Sequence, residues 1–331
     1  MFKKAYTFDD LALTPKFNSI LSRTNVDLTT QLTKRTQIKI PIVAANMDTV
    51  ICDELADLLI LNGTYPIFHR FCDLEQIEKW AAKYGANCYL SCGVSMYMDI
   101  INIALKYNCR GICIDIAHGH SQVMLDIIKK IPRELEIIAG NVCTPEACID
   151  LINAGVDCIK VGIGPGAACI TRIMTGFGIP QMSSILECAE ICKKHNMPII
   201  ADGGIEIPKH LVMALAGGAG SVMIGKLFAT TNESASPKIL KDDGLYVKYR
   251  GQASKDFQDE KRGGLKPGTV EEGVSMILRA TGGAQELINK MCGGLRSGCT
   301  YAGANNIREL QENAVFREVS NNYMKESNFR H

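Results

Sequence analysis

Cys169 is the residue around which chemistry can be assembled. It lies in Lys160-Val-Gly-Ile-Gly-Pro-Gly-Ala-Ala-Cys-Ile-Thr-Arg172, where an apolar run gives way to three glycines and a proline, then a thiol, then a hydroxyl at Thr171. Such glycines let backbone N–H and C=O groups approach a ligand or ion, so the thiol stands beside a bound group. A thiolate there is a nucleophile, and an electrophilic ring carbon of a nucleotide base is a fitting target. Thr171 relays a proton if a downstream carboxylate reaches it, and Glu271 and Glu272 are the two candidates. The structural reading of the same residues is a glycine-rich turn carrying one more buried cysteine.

Elements that could position this loop recur along the chain. Eight short apolar runs stand at Ile40–Ala45, Tyr65–Phe68, Cys88–Val94, Gly111–Ala117, Glu136–Val142, Cys158–Gly164, Pro198–Gly204 and Ser221–Leu227. Segments of helical period follow them, among them Ile51–Asn62, Leu74–Tyr84, Thr144–Ala154, Met182–Lys194 and Pro208–Gly217. Fully apolar strands alternating with helices imply a parallel sheet, and eight units in succession favour a closed (β/α)8 TIM barrel. Residues 1–331 then form a single domain. Its ligand site falls at the C-terminal ends of the strands. Asn46 and Met47, His69 and Arg70, Asp115 and His118, Asn141, the Cys169 loop, Asp202 and Gly225 collect there.

Past the eighth strand the barrel period stops. Residues 232–282 are rich in Lys, Asp, Glu and Gly and read as a long mobile flap over the site. The C-terminal segment, 283–331, opens with a closing helix over Ala284–Met291, then the glycine-rich run from Gly293 to Gly303, then a short helix over Asn305–Asn313.

Gly203 and Gly204 after the seventh strand and Gly225 after the eighth offer backbone N–H groups to an anion, where such barrels often hold phosphate. Asp202 beside them is suited to a ribose diol, and Lys226 is the one full cation of those two loops. Together they describe a nucleotide monophosphate site. Lys226 reads equally as a solvated surface lysine.

Bulk properties narrow the classes. A net charge of +1 over 331 residues gives no basic or acidic field for nucleic acid or an anionic membrane. The N-terminus carries no apolar signal core and no run is long enough to span a bilayer, so a cytoplasmic setting with reduced thiols is expected for the 14 cysteines. No Cys-x-x-Cys or histidine cluster completes a zinc site.

Gly162-Ile-Gly-Pro-Gly with Cys169 and Thr171, Ala201-Asp-Gly-Gly-Ile205, Asp115-Ile-Ala-His-Gly-His-Ser121, Thr7-Phe-Asp-Asp10 and Gly293-Gly-Leu-Arg-Ser297 together resemble the inosine-monophosphate dehydrogenase and guanosine-monophosphate reductase family. The match runs over nearly the whole chain in order. The resemblance implies a homotetramer, possibly an octamer, in which the loop cysteine attacks the purine C2. It assigns catalysis to Cys169, Thr171 and Glu272. Substrate contacts fall to Asn46, Met47, Asp202, Gly203, Gly204, Gly225, Lys226, Tyr249, Gly251, Gln252 and Gly273. The nicotinamide cofactor falls to Asp115, Ala117, His118, Asn141, Gly162, Arg296 and Ser297. A monovalent cation such as K⁺ is implied on the carbonyls of Gly164, Gly166 and Cys169.

Within that family the sequence favours the reductase branch, which converts GMP to IMP with NADPH. Only Phe71–Asn87 separates the second and third strands, leaving no room for the inserted regulatory domain of most dehydrogenases. Phe257-Gln-Asp-Glu-Lys-Arg-Gly-Gly264 lacks the Arg-Tyr pair that activates water in dehydrogenases. Asn46 and His69-Arg-Phe71 also resemble reductases. Ala167 departs from the serine usual in the family, and Lys226 stands where Ser or Gly is common. The alternatives are an IMP dehydrogenase without regulatory domains, oxidising IMP to XMP with NAD, and a non-catalytic purine-nucleotide-binding protein.

Overall fold

The structure is a computed structural model describing residues 2–320 and 322–327. All eight expected strands form: β1 Ile42–Ala44, β2 Ile67–Phe68, β3 Tyr89–Cys92, β4 Gly111–Asp115, β5 Glu136–Val142, β6 Cys158–Val161, β7 Ile199–Asp202 and β8 Ser221–Ile224. They make one parallel sheet in the order β1-β8-β7-β6-β5-β4-β3-β2, leaving β1 and β2 as the strands on either side of one seam. Thr64 donates to the Ile42 carbonyl at 2.9 Å and Asn46 to Ser91 Oγ at 2.9 Å, linking the two sides. Strands buried on both faces have no polar side to alternate with, which is why they read as continuous Val, Ile and Ala runs. The fold is a (β/α)8 barrel.

Each crossover carries a helix: α1 Asp53–Leu61, α2 Leu74–Tyr84, α3 Tyr97–Lys106, α4 Gln122–Ile128, α5 Pro145–Ala154, the short α6 Thr171–Thr175 with α7 Gln181–Lys194, α8 Pro208–Ala216 and the short α9 Lys226–Ala229. Local chemistry sets their starts. Asp73, Ser121 and Thr144 accept from backbone N–H groups of the first turn, and Pro145 and Pro208 open α5 and α8. In the N-terminal motif, Thr7 and Asp10 form a reciprocal capping box and Phe8 stacks on His210 at 5.1 Å.

The expected flap has elements of its own: β9 Lys238–Lys241, β10 Gly244–Arg250 and β11 Ser275–Arg279 form an antiparallel sheet, with α10 Lys255–Arg262 between the last two strands. Ser254 caps α10, and Gly263 ends it in the left-handed conformation. The closing helix does not stop at Met291. It continues as α11, Ala284–Tyr301, through the glycine-rich run. Glycines cost about 1 kcal/mol each inside a helix relative to Ala, yet two of them let α11 settle on α8. A Cβ on Gly294 would lie 2.4 Å from Pro208 Cβ, and one on Gly298 2.7 Å from Val212. The following helix, α12, spans Ile307–Asn313.

Candidate active site

The cleft at the C-terminal ends of the strands has a volume of 390 Å³ and is lined from β1, β2, β4 to β8 and the flap. Cys169 sits in its wall, part-exposed, on the loop that leaves β6. Gly162 must be glycine there: its φ is +147° and a Cβ would stand 2.1 Å from the Asp202 carbonyl of β7. Arg172 braces the loop from behind, donating to the carbonyls of Ile163 (3.4 Å) and Ile179 (2.6 Å).

The flap meets this loop edge to edge. Ile170 N–H donates to the Glu272 carbonyl and Val274 N–H to the Ala168 carbonyl, each at 2.9 Å. That bridge fixes the Glu272 side chain over the loop. The Cys169 thiol donates to Thr171 Oγ1 at 3.2 Å, and Thr171 donates to Glu272 Oε2 at 2.7 Å. Thiol, hydroxyl and carboxylate form a continuous path for a proton. Of the two carboxylates left open by the sequence, Glu272 lines the cleft.

A residue that sequence reasoning missed sits beneath this relay. Lys160 in β6 is only 2% exposed, yet its ammonium donates to Asp115 Oδ1 (3.0 Å), Asp202 Oδ2 (2.7 Å) and the side-chain amide oxygen Oδ1 of Asn141. Burial opposes its charge, but the carboxylates of Asp115 and Asp202 outweigh that and hold its pKa above the ordinary lysine value. Burial likewise opposes ionisation of Asp115, and Lys160 and then Arg70 keep its pKa below the usual carboxylate value. Asn141 also donates to Asp202 Oδ2 at 2.8 Å. The carboxylates assigned to ribose and cofactor are therefore already tied together, each keeping part of its surface open to the cleft.

Other assigned residues divide. Asn46, Met47, Ala117, Gly164, Gly166, Gly203, Tyr249, Gly251, Gln252 and Gly273 line the cleft with those already placed. Gln252 donates to Asp48 Oδ1 (2.8 Å), and Asp48 also binds the buried Arg250, so a β1–flap ion pair sets the flap's inner edge. Tyr249 lays its hydroxyl on Gly225, where a Cβ would be 2.9 Å away. Burial, then Asp202 and Cys169, push this phenol's pKa upward.

Gly204, Gly225, Lys226 and His118 are not among the lining residues. Lys226 is not a free cation: its ammonium pairs with Glu206 at 3.0 Å. Arg296 and Ser297 lie on α11, in the helix layer against α8, and the subunit does not bring them to the cleft because the motif that carries them is used for helix packing. Arg70, Phe71, Gln258 and Arg262 do line it and carried no assignment.

These features define a barrel enzyme whose ligand cleft carries a thiol in hydrogen-bond reach of a hydroxyl and a carboxylate. The family model described as IMP dehydrogenase / GMP reductase domain matches residues 5–330, and the chain belongs to that family. It is 36% identical to a GMP reductase of Shewanella pealeana, over 94% of each chain. It is 35% identical to an inosine-5′-monophosphate dehydrogenase of Borreliella burgdorferi, over 98% of this chain and 96% of that one. It is 34% identical to a GMP reductase of Onchocerca volvulus, over 95% and 90%. A crystal structure of a GMP reductase variant from Trypanosoma brucei in complex with guanosine 5′-monophosphate superposes with a TM-score of 0.92, at 24% identity, covering 100% of this chain and 98% of that one; it bears on the fold. Among the described residues no helix is long and apolar enough to cross a membrane.

Proposed function

We propose that the chain is a GMP reductase, removing the 2-amino group of GMP as ammonia and leaving IMP. The observation that carries this reading is the Cys169–Thr171–Glu272 path, together with a flap segment, Phe257–Gly264, that contains no Arg-Tyr pair. GMP reductases from several organisms stand among the relatives at similar identity.

In this mechanism the Cys169 sulfur adds to purine C2 while its proton passes through Thr171 towards Glu272. Glu272 returns a proton to the departing amino group, ammonia leaves, and C2 remains bonded to sulfur as a thioimidate. A nicotinamide held beside Asp115, Ala117 and Asn141 would supply the hydride that C2 needs, and loss of the Cys169 sulfur from C2 would then release IMP and return the thiolate. Asp202 orients the ribose, and the Gly203 side of the mouth receives the phosphate. Glu272 and Gly273, held to the Cys169 loop by the backbone bridge, cover the adduct and exclude water, which would otherwise divert it to XMP. Asp115, Asn141 and Ala117 face the cofactor side, and NADPH is the proposed donor. The Gly166 carbonyl already accepts the Cys169 N–H (2.9 Å), and Arg172 packs against Gly164. The carbonyls of Gly164, Gly166 and Cys169 would supply three oxygens to a monovalent cation, fewer than the roughly six or more that a hard cation takes, and no step depends on one. A homotetramer in the cytoplasm completes the reading.

One observation favours the dehydrogenase as a second reading: a flap arginine, Arg262, does line the cleft. Absorbance at 340 nm separates the two. Loss of absorbance with GMP and NADPH is expected, whereas a rise with IMP and NAD, with XMP formed, would replace the assignment. Cys169→Ala should lower turnover by at least about a thousandfold while GMP still binds in calorimetry; retained turnover would remove the covalent mechanism.

A further inference from the structure

The cleft's charges are unevenly satisfied. Lys160 is shared by Asp115 and Asp202, Arg250 pairs with Asp48 and Glu260, and Glu272 accepts from Thr171. Two lining cations, Arg70 after β2 and Arg262 at the end of α10, have no carboxylate partner among the described residues. Arg70 reaches only the Asp115 carbonyl, at 3.4 Å, and its buried Nε has no partner. Its guanidinium lies over the Phe71 ring at 4.5 Å, and Gly93 leaves the space, since a Cβ there would be 2.7 Å from Arg70 Cζ. Arg262 stands 5.8 Å over Phe257, whose ring meets Phe71 edge-on at 5.1 Å. Burial, and then the field of Arg70, lower the pKa of Arg262, so the two guanidinium groups sense each other.

Neither guanidinium over this aromatic pair is held in an ion pair, and the one carboxylate whose field reaches Arg70, Asp115, is already bonded to Lys160, so the corner can accept an anion; planar guanidinium groups suit phosphate. Arg70 leaves β2 but reaches round to the Asp115 carbonyl at the end of β4, three and four strands round the barrel from β7 and β8, which Gly203 and Gly225 follow. The phosphate concerned is thus separate from the one proposed for GMP, and it neighbours Asp115 on the cofactor side.

We propose that Arg70 and Arg262 are a clamp for a phosphate group of the dinucleotide, the flap closing this half of the clamp through α10. The inference rests on reading the chain as a nicotinamide-dependent enzyme. It extends that reading by naming residues that select the cofactor. Two phosphate sources share the chemistry, the pyrophosphate common to NADPH and NADH and the 2′-phosphate of NADPH alone.

Arg262→Ala is the test variant, because the side chain is exposed at a helix end and its removal leaves the core untouched. The full-length enzyme should show a KM for NADPH raised about tenfold or more with the KM for GMP within twofold, as expected for loss of a charge-assisted contact. An equal rise with NADH assigns the pyrophosphate, and a rise confined to NADPH assigns the 2′-phosphate; either outcome supports the clamp. Unchanged dinucleotide KM, a rise confined to GMP, or a fall in kcat alone overturns it. Calorimetry with adenosine 2′,5′-bisphosphate and with ADP keeps the test independent of the assigned reaction. Weaker binding of either to Arg262→Ala and Arg70→Ala supports the clamp even if GMP is not turned over, and unaltered binding of both ends it.

Discussion

Two glutamates at opposite ends of the barrel each accept a hydrogen bond from a threonine hydroxyl, and only one of those hydroxyls continues to a thiol. Glu136 opens β5 at the N-terminal face, 5% exposed, and accepts from Thr33, Thr36 (2.7 Å) and Tyr89 (2.7 Å) with Arg110 nearby at 3.8 Å. Its oxygens are saturated by groups that have nowhere to pass a proton. Glu272 sits on the flap with one hydroxyl donor, and that hydroxyl continues to the Cys169 thiol. A buried carboxylate with all its partners supplied locks a structure, whereas one with spare capacity beside a nucleophile can exchange a proton.

The same substitution at both ends breaks or upholds this contrast. Glu272→Gln should lower turnover by roughly 10²- to 10⁴-fold, the usual contribution of a positioned acid-base group, with the thermal midpoint unchanged. Stopped-flow measurement of ammonia release checks it, and a variant that deaminates normally would mean that the proton travels elsewhere.

Lys160 tests a mixed case, because it is as buried as Glu136 but holds residues that face the cleft. Lys160→Met leaves Asp115 and Asp202 as part-buried carboxylates without their counter-charge; removal of one partner of a fully buried pair costs about 3–5 kcal/mol, and their opening to the cleft makes that an upper bound. Chemical denaturation should show that loss, and calorimetry should show weaker GMP binding. If denaturation moves while ligand affinity stays, Lys160 belongs with the structural end.

Glu136→Gln comes next. Replacing a saturated carboxylate by an amide strands at least one hydroxyl donor, at about 1–3 kcal/mol, and kcat and KM measured below the midpoint should match the parent. A kinetic change there would dissolve the distinction between the two ends.

How much of this arrangement is legible without coordinates follows the same divide. Cys169, Thr171 and the eight strands announce themselves within a dozen residues each, since nucleophile, hydroxyl and apolar run are local signals. Glu272 is reachable because only two adjacent carboxylates compete for the role. Lys160 is hidden, because a lysine in a β-strand resembles any other and its partners stand 45 and 42 residues away. The flap sheet is hidden for a related reason: β10 pairs with β11 across the whole of α10, and β9 is a mostly exposed edge strand without an apolar alternation. Gly293-Gly294 reads as a helix stop by propensity, and the packing of Gly294 and Gly298 on α8 overrides it.

The smallest expected effect tests whether the mouth's remaining cation belongs to either group. Lys226 and Glu206 are a half-exposed pair, 35% and 50% by side chain, and such pairs contribute about 0–1 kcal/mol. If the lysine leaves Glu206 for the phosphate of GMP, Lys226→Ala should raise the KM for GMP by up to about fivefold with kcat unchanged, the pattern of uniform binding. Glu206→Gln should then lower that KM, because it frees the ammonium without removing it. A KM indifferent to both substitutions would make Lys226 a surface partner of Glu206 alone and leave phosphate recognition to the backbone of the β7 and β8 loops.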